Sequence, residues 1–264
     1  MKNPIEFAPH REINLTESLW AKPQQSTYED LILKPEYAER RLRFEVGQTW
    51  LRIIPALAKS VHPWVLPLYV LEFNGGRFVH PRSLTPRARS VYDVAYGWLK
   101  ENAPDSLFSK ANKEGTRLLG DPVLLFWALV EKDGRYTPRL ILERAYDGSR
   151  GGVPGLAHRI LKLTQELDEN GRPVADAISP EAGVLLGVEK TQAPGAKYPG
   201  YQLKLGRQPR PIVPLLEEMA PEERSVIRPL EEVVRPLTDE EQWTCLAKLM
   251  TPETVAKIRE SVGK

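Results

Sequence analysis

The stretch that most constrains the fold is DPVLLFWALVEKDGRYTPRLILERAY, residues 121–146. Two apolar runs, 122–131 and 135–146, flank Asp133-Gly134. A two-residue Asp-Gly loop takes positive φ at both positions, and its twist matches that of two adjacent antiparallel strands. The stretch therefore predicts a hairpin. Its polar positions, continued to Arg150, are rich in arginine: Arg135, Arg139, Arg144 and Arg150, with Arg117 just upstream. Cations set beside rings on a sheet raise the question of what such a surface contacts.

The rest of the chain extends the same pattern. RLRFEVGQTWLRIIPAL (41–57) alternates, with Trp50, Arg52 and Ile54 on one face and Leu51 and Ile53 on the other. PWVLPLYVLEFNGGRFVHPRSL (63–84) predicts a hairpin turning at Asn74-Gly75-Gly76. Residues 88–103 carry Val91, Ala95 and Trp98 on one helical stripe and Tyr92 with Tyr96 on the next, and Pro104 ends the helix. A second helix is expected over 152–171, with Pro154 in its first turn and Gly171 after its end. Strands at 182–191 and 200–208 follow. From Pro211 onward, prolines punctuate short helices and the acidic residues come in blocks.

The expected organisation is an N-terminal arm (1–33) with one short helix around Leu15–Trp20, a β body (34–210) and an acidic helical C-terminal region (211–264). The class is mainly β with added helices. Five or six strands with an inserted helix suit a partly open barrel of the oligonucleotide-binding (OB) type and suit a generic α+β sheet equally well.

Charge is uneven over the 264 residues although the net value is only +2. Residues 34–152 hold 19 Lys and Arg against 13 Asp and Glu, a net +6, whereas 215–264 hold 7 against 11, a net −4. A basic body attracts polyanions, and an acidic end can compete for the same surface or bind a partner. The single cysteine, Cys245, rules out an internal disulfide and any Cys-rich zinc site. No stretch reaches the roughly 18 apolar residues of a membrane span, and the first 20 residues lack an apolar signal core. The expectation is a cytoplasmic protein without membrane contact.

Rings and cations recur together along the body. Trp64, Tyr69, Phe73, Phe78 and Tyr92 accompany Arg52, Arg77, Arg82, Arg87 and Arg89. Trp127, Tyr136 and Tyr146 accompany Lys132, Arg135, Arg139, Arg144 and Arg150, while Tyr198 and Tyr201 accompany Lys190, Lys197, Lys204, Arg207 and Arg210. Unpaired bases stack on flat apolar rings and their phosphates need nearby cations. Trp50, Trp98 and Phe126 sit within apolar runs and are expected in the core; Tyr136, Tyr146, Tyr198 and Tyr201 lie among charges at strand ends and are expected at the surface. AYDGSRGGVPG (145–155) matches no nucleotide-binding fingerprint and reads as a tight strand-to-helix path. His10, His62, His80 and His158 are scattered, and Asp168, Glu169, Asp176 and Glu181 read as a solvated turn. No catalytic motif, metal site or cofactor is indicated.

WLRIIPALAKSVHPWVLPLYVLEFNGGRFVHPRSL, followed by a Tyr/Arg strand pair, then GLAHRILKLTQEL, two strands and acidic helices, resembles the order of elements in the T4-type bacteriophage single-stranded-DNA-binding proteins. The resemblance covers about residues 41–250 as architecture. It implies an OB fold, a basic cleft lined with aromatics, a basic arm for cooperative binding and an acidic end that recruits replication partners. Arg52 falls in the matching first strand, and Tyr136, Arg139, Arg144 and Tyr146 in the matching middle strands. This chain has His80 but no cysteine where that family carries zinc, its arm is not basic, and its end, KIRESVGK, is not a bare acidic tail. The resulting expectation is a non-enzymatic, sequence-independent single-stranded-DNA-binding protein of phage or mobile-element replication or recombination. Replication or recombination proteins would dock on 211–264. Stacking and phosphate contacts serve RNA as well as DNA. A different reading of the same residues is an adaptor acting through the acidic helices.

Overall fold

The computed structural model describes residues 29–57, 64–73, 76–85, 89–103, 118, 120–145, 154–165, 169, 177–192 and 199–262. The expected arm helix at 15–20, Asn74-Gly75, and the Gly-rich path 146–153 lie outside the described residues. In chain order the elements are β1 (Glu29–Asp30), α1 (Pro35–Ala38), β2 (Gly47–Ile53), β3 (Leu66–Phe73), β4 (Gly76–Val79) and α2 (Val91–Asn102). There follow β5 (Asp121–Lys132), β6 (Arg135–Arg144), α3 (Leu156–Gln165), β7 (Val184–Thr191) and β8 (Gly200–Pro209). The chain ends in α4 (Ile212–Glu217), α5 (Pro221–Ser225), α6 (Leu230–Val233), α7 (Asp239–Leu249) and α8 (Pro252–Val262). It divides into two compact units.

The first unit takes Tyr37–Leu66 and Leu124–Val233. Its strands are ordered β6-β5-β2-β7-β8. The β5–β6 turn has φ of 53° at Asp133 and 73° at Gly134, the double positive geometry expected from the dipeptide. β2 runs antiparallel to β5, with Leu51 opposite Val130, and to β7, with Trp50 opposite Gly187. β7 and β8 form the closing hairpin, placing Gly187 opposite Lys204. Counted within the unit, the order is third, second, first, fourth, fifth strand, and helix α3 lies in sequence between the third and fourth. That is the arrangement of the OB type, an open mainly-β fold with added helices.

Alternation decides which side of these strands is interior. Leu51 and Ile53 of β2, Leu124, Phe126 and Ala128 of β5, Ile141 of β6, and Leu186 and Val188 of β7 form one core with Leu156, Ala157, Ile160 and Leu161 of α3. Trp64 meets Phe126 edge-on within it, ring centroids 5.5 Å apart. An amphipathic helix closing one face of a sheet buries the apolar side chains that an isolated sheet would expose.

The second unit takes Ser18–Glu36, Pro67–Val123 and Val234–Lys264. β4 pairs antiparallel with β3 and parallel with β1. α2 starts at a reciprocal cap, in which the Ser90 hydroxyl accepts from the Asp93 N–H and the Asp93 carboxylate accepts from the Ser90 N–H. α7 begins the same way at Thr238 and Glu241. Tyr92, Ala95 and Leu99 pack against Leu71, Leu118, Leu246 and Ile258. Buried Gln242 ties α7 to α2, accepting from the Val91 N–H at 3.1 Å and donating to the Leu237 carbonyl at 3.1 Å.

The segment after 211 is helical as expected, yet it is no appendage. Ile212, Leu215, Leu216, Leu230 and Val233 are buried within the first unit, and Leu237, Leu246, Val255 and Ile258 within the second. Its acidic blocks, such as Glu217, Glu218 and Glu222, stay on exposed faces. The division thus differs from boundaries at 33/34 and 210/211, because short apolar spacings inside an acidic segment are enough to bury it.

Candidate nucleic-acid interface

In the first unit one outer face of the sheet is covered and another is open. Trp127, Leu129, Leu140 and Leu142 point away from the α3 side and are nevertheless buried. The Trp127 indole N–H donates to the Arg228 carbonyl at 2.9 Å, Tyr37 meets the Trp127 ring edge-on at 6.3 Å, and Arg40 pairs with Glu223. The chain's own residues 223–230 therefore cover the outside of β5 and β6, the strands whose surface OB proteins commonly present to oligonucleotides.

The open face belongs to β2, β7 and β8. Trp50, half-buried, lines a hollow of about 420 Å³ with Glu131, Asp133, Leu185 and Gly206. A Cβ at position 187 would lie 3.0 Å from Cζ3 and 3.1 Å from Cη2 of Trp50, so the indole reaches over β7 where that strand has no side chain. A Cβ at position 206 would crowd the Leu185 backbone at 3.2 Å. At both positions a side chain would press closely on its neighbours, so the glycines follow from close approach rather than from a turn.

Exposed cations occur on the strands that line this hollow and at their ends. Lys132 and Arg135 are exposed on either side of the Asp133-Gly134 turn, and Arg207 and Arg210 are exposed at the end of β8. Lys204, opposite Gly187, reaches the Glu189 carboxylate at 2.6 Å while half exposed. The Tyr136 hydroxyl donates to Glu131 at 3.4 Å; partial burial and then that carboxylate push its pKa up, so it remains a protonated donor. Arg210 opposes this shift and so lies within electrostatic reach of the same ring.

Several sequence-derived candidates have other roles. Arg52 is fully buried: Nε donates to the Arg210 carbonyl at 2.8 Å, Nη1 to those of Ile53 and Ala177 at 2.8 Å each, and Nη2 to that of Ser179. It is a staple, not a phosphate contact, because a guanidinium with fixed planar donors can hold several loop carbonyls at once. Trp64 and Tyr92 are core side chains, and burial drives the Tyr92 hydroxyl strongly upward in pKa. Tyr201 packs edge-on against Phe44 at 6.1 Å, and its pKa is pushed up to about 12 by burial and by Glu143. Lys190 donates to the Phe44 carbonyl at 2.7 Å, and Arg139 to the Glu39 carbonyl at 3.1 Å. Arg144 is half-buried on the last residue of β6.

Tyr69, Arg77, Arg82 and Arg89 belong to the second unit. There the Arg82 guanidinium lies 4.0 Å from the centroid of the Tyr69 ring, Arg77 pairs with Glu72 at 2.9 Å, and Arg89 is exposed. Arg87, Tyr146, Arg150, Lys197 and Tyr198 lie outside the described residues, as do His10 and His62. Of the expected set, Lys132, Arg135, Tyr136, Lys204 and Arg207 occupy exposed or partly exposed positions of the first unit. Trp50, expected in the core, stands with them. Its signal in the sequence was its place in the same alternation as the polar positions of β2.

No helix among the described residues is long and apolar enough to cross a membrane. No group of three or more His, Cys, Asp or Glu among them could hold a metal ion. No protein-family model matches the chain, and no curated protein matches it.

Proposed function

We propose that the protein binds unpaired nucleic acid, largely without reading its sequence, through the open face of the five-stranded unit. It would act in the cytoplasm of a host cell on the DNA of a replicating or recombining phage or mobile element, making and breaking no bond. One observation carries the reading: Trp50 lines an open hollow with Glu131, to which Tyr136 is hydrogen-bonded, and Lys204 is exposed opposite Gly187 of the same face. Stacking on an exposed ring contributes roughly 1 to 3 kcal/mol per base, so these two rings suffice for useful affinity once cations track the phosphates. The exposed carboxylates of Glu217, Glu218 and Glu222 would offer the docking face for replication or recombination proteins.

The test is a titration of fluorescent poly-dT, poly-rU and a duplex. With about five phosphates contacted, the single-strand slope predicts a roughly hundredfold loss of affinity between 50 and 200 mM salt. Single strands should bind tighter than the duplex at both concentrations. A flat salt response, or a preference for duplex, overturns the reading.

A further inference from the structure

The donor set of the hollow is more selective than its rim. We propose that the Trp50 hollow is a guanine subsite within the otherwise sequence-tolerant strand path, with Trp50 stacking the base and Glu131 or Asp133 accepting from its Watson–Crick edge. The inference rests on the nucleic-acid reading above and adds which base that face prefers.

Three observations lead to it. The hollow, about 420 Å³, lies within the size range of pockets that hold a small planar ligand. Its aromatic wall is an indole whose outer edge is set against Gly187 and which remains partly exposed, leaving a ring surface for a second ring. Besides the indole N–H of Trp50, the side-chain polar groups lining it are the carboxylates of Glu131 and Asp133. An ionised carboxylate only accepts hydrogen bonds, so the ligand edge that meets it must donate.

The four bases differ sharply in that respect. Guanine presents two adjacent donors, N1–H and the 2-amino group, spaced to meet both oxygens of one carboxylate. Cytosine and adenine present one amino group beside a ring nitrogen lone pair, which repels the second oxygen. The imide N–H of thymine and uracil stands between two carbonyls, which repel both. Glu131 is also positioned from behind, since the Tyr136 hydroxyl donates to it at 3.4 Å. A phosphate flanking a base seated here would meet Lys204, exposed on β8 opposite Gly187, which offsets part of the repulsion between carboxylates and backbone.

Nonamers of dT carrying one central dG, dC, dA or dT test this by fluorescence anisotropy at a single salt concentration. The dG nonamer should bind the wild type on the order of tenfold tighter than the dT nonamer, a discrimination typical of one bidentate base contact. Glu131→Gln and Asp133→Asn, near-isosteric changes at the hairpin end, identify the accepting carboxylate: one of them should bring the ratio of the two affinities close to one. Trp50→Phe should keep most of the preference and Trp50→Ala should weaken every nonamer. Equal affinity for all four nonamers overturns the guanine subsite and leaves the strand-binding reading intact. A guanine preference that survives both carboxylate substitutions overturns it as well. Failure of every nonamer to bind at low salt removes the reading beneath it. N-acetylarginine amide is the control for a protein partner: if it quenches the Trp50 emission, read as the difference from Trp50→Phe, while no nonamer does, the hollow takes cationic side chains and the inference falls.

Discussion

The guanidinium of Arg52 occupies the space that a side chain at Gly183 would fill: a Cβ there would collide with Cζ and Nη2. Gly183→Ala should therefore destabilise the first unit by about 1 to 3 kcal/mol, the usual range for overpacking a filled interior. Arg52→Met should cost more. It removes the Arg52 donor from the carbonyls of Ala177 and Arg210, each loss being worth roughly 1 to 3 kcal/mol where no water replaces it, while the Ser179 carbonyl keeps the Gly183 N–H. Urea midpoints of the two variants measure both effects, and Arg52→Lys should not rescue, because one ammonium cannot reproduce the planar fork.

Truncation after residue 210 should not release a free DNA-binding body. Leu215, Leu216, Leu230 and Val233 are buried within the first unit, and Arg228 accepts the Trp127 indole bond. Their removal exposes Trp127, Leu140 and Leu142. The expected product of residues 1–210 unfolds without a cooperative transition, or is insoluble, as judged by near-ultraviolet dichroism and a thermal scan. A cooperatively folded 1–210 fragment with tighter strand binding would restore the picture of a detachable competing tail.

His80 supplies the pH dependence. Fully buried, its Nδ1 accepts from the Arg82 N–H at 3.3 Å, and its ring meets Tyr92. Burial, then the Arg82 charge, lower its pKa to about 4, against the raising effect of Asp93, 3.9 Å from Nε2. The folded state thus holds a neutral imidazole that the unfolded chain protonates near its ordinary value of about 6.5. Between these values the unfolded state binds more protons, so stability is full above about 6.5 and falls as pH drops through about 4. The loss is on the order of 3 kcal/mol. His80→Asn, which keeps an acceptor for the Arg82 N–H, should flatten that limb of a stability-versus-pH curve.

The hairpin was legible because its cause is local: Asp133-Gly134 carries its turn geometry in two residues. The reciprocal caps at Ser90 with Asp93 and Thr238 with Glu241 are equally local but were not read from the sequence. The fate of Arg52 was not, since its partners at Ala177, Ser179 and Arg210 are 125, 127 and 158 positions away. Along β2 an arginine in the polar register reads the same whether water or a loop will cover it. Trp50 was misplaced for the related reason that its openness depends on the glycine opposite, at 187. Acidic blocks concealed the burial of the helices after 211, where a few spaced apolar residues outweigh the surrounding charge once they find a core.

Charge and stacking in the proposed interface separate by their response to salt. Arg135 is exposed at the hairpin end and Arg207 near the end of β8, whereas Arg139 is tied to the Glu39 carbonyl and serves less well as a probe. Each of Arg135→Ala and Arg207→Ala should reduce the salt slope of poly-dT binding by about 0.7, the value of one single-strand phosphate contact. Tyr136→Ala removes a ring but no charge. Its affinity should fall by roughly 1 kcal/mol or more at every salt concentration, with the slope unchanged. Tyr136→Phe separates the ring from its hydroxyl: it should retain the stacking contribution while freeing Glu131 from its donor. If Tyr136→Ala instead changes the slope, the tyrosine acts by positioning a cation, and Arg210, close enough to affect its ionisation, is the residue to substitute next.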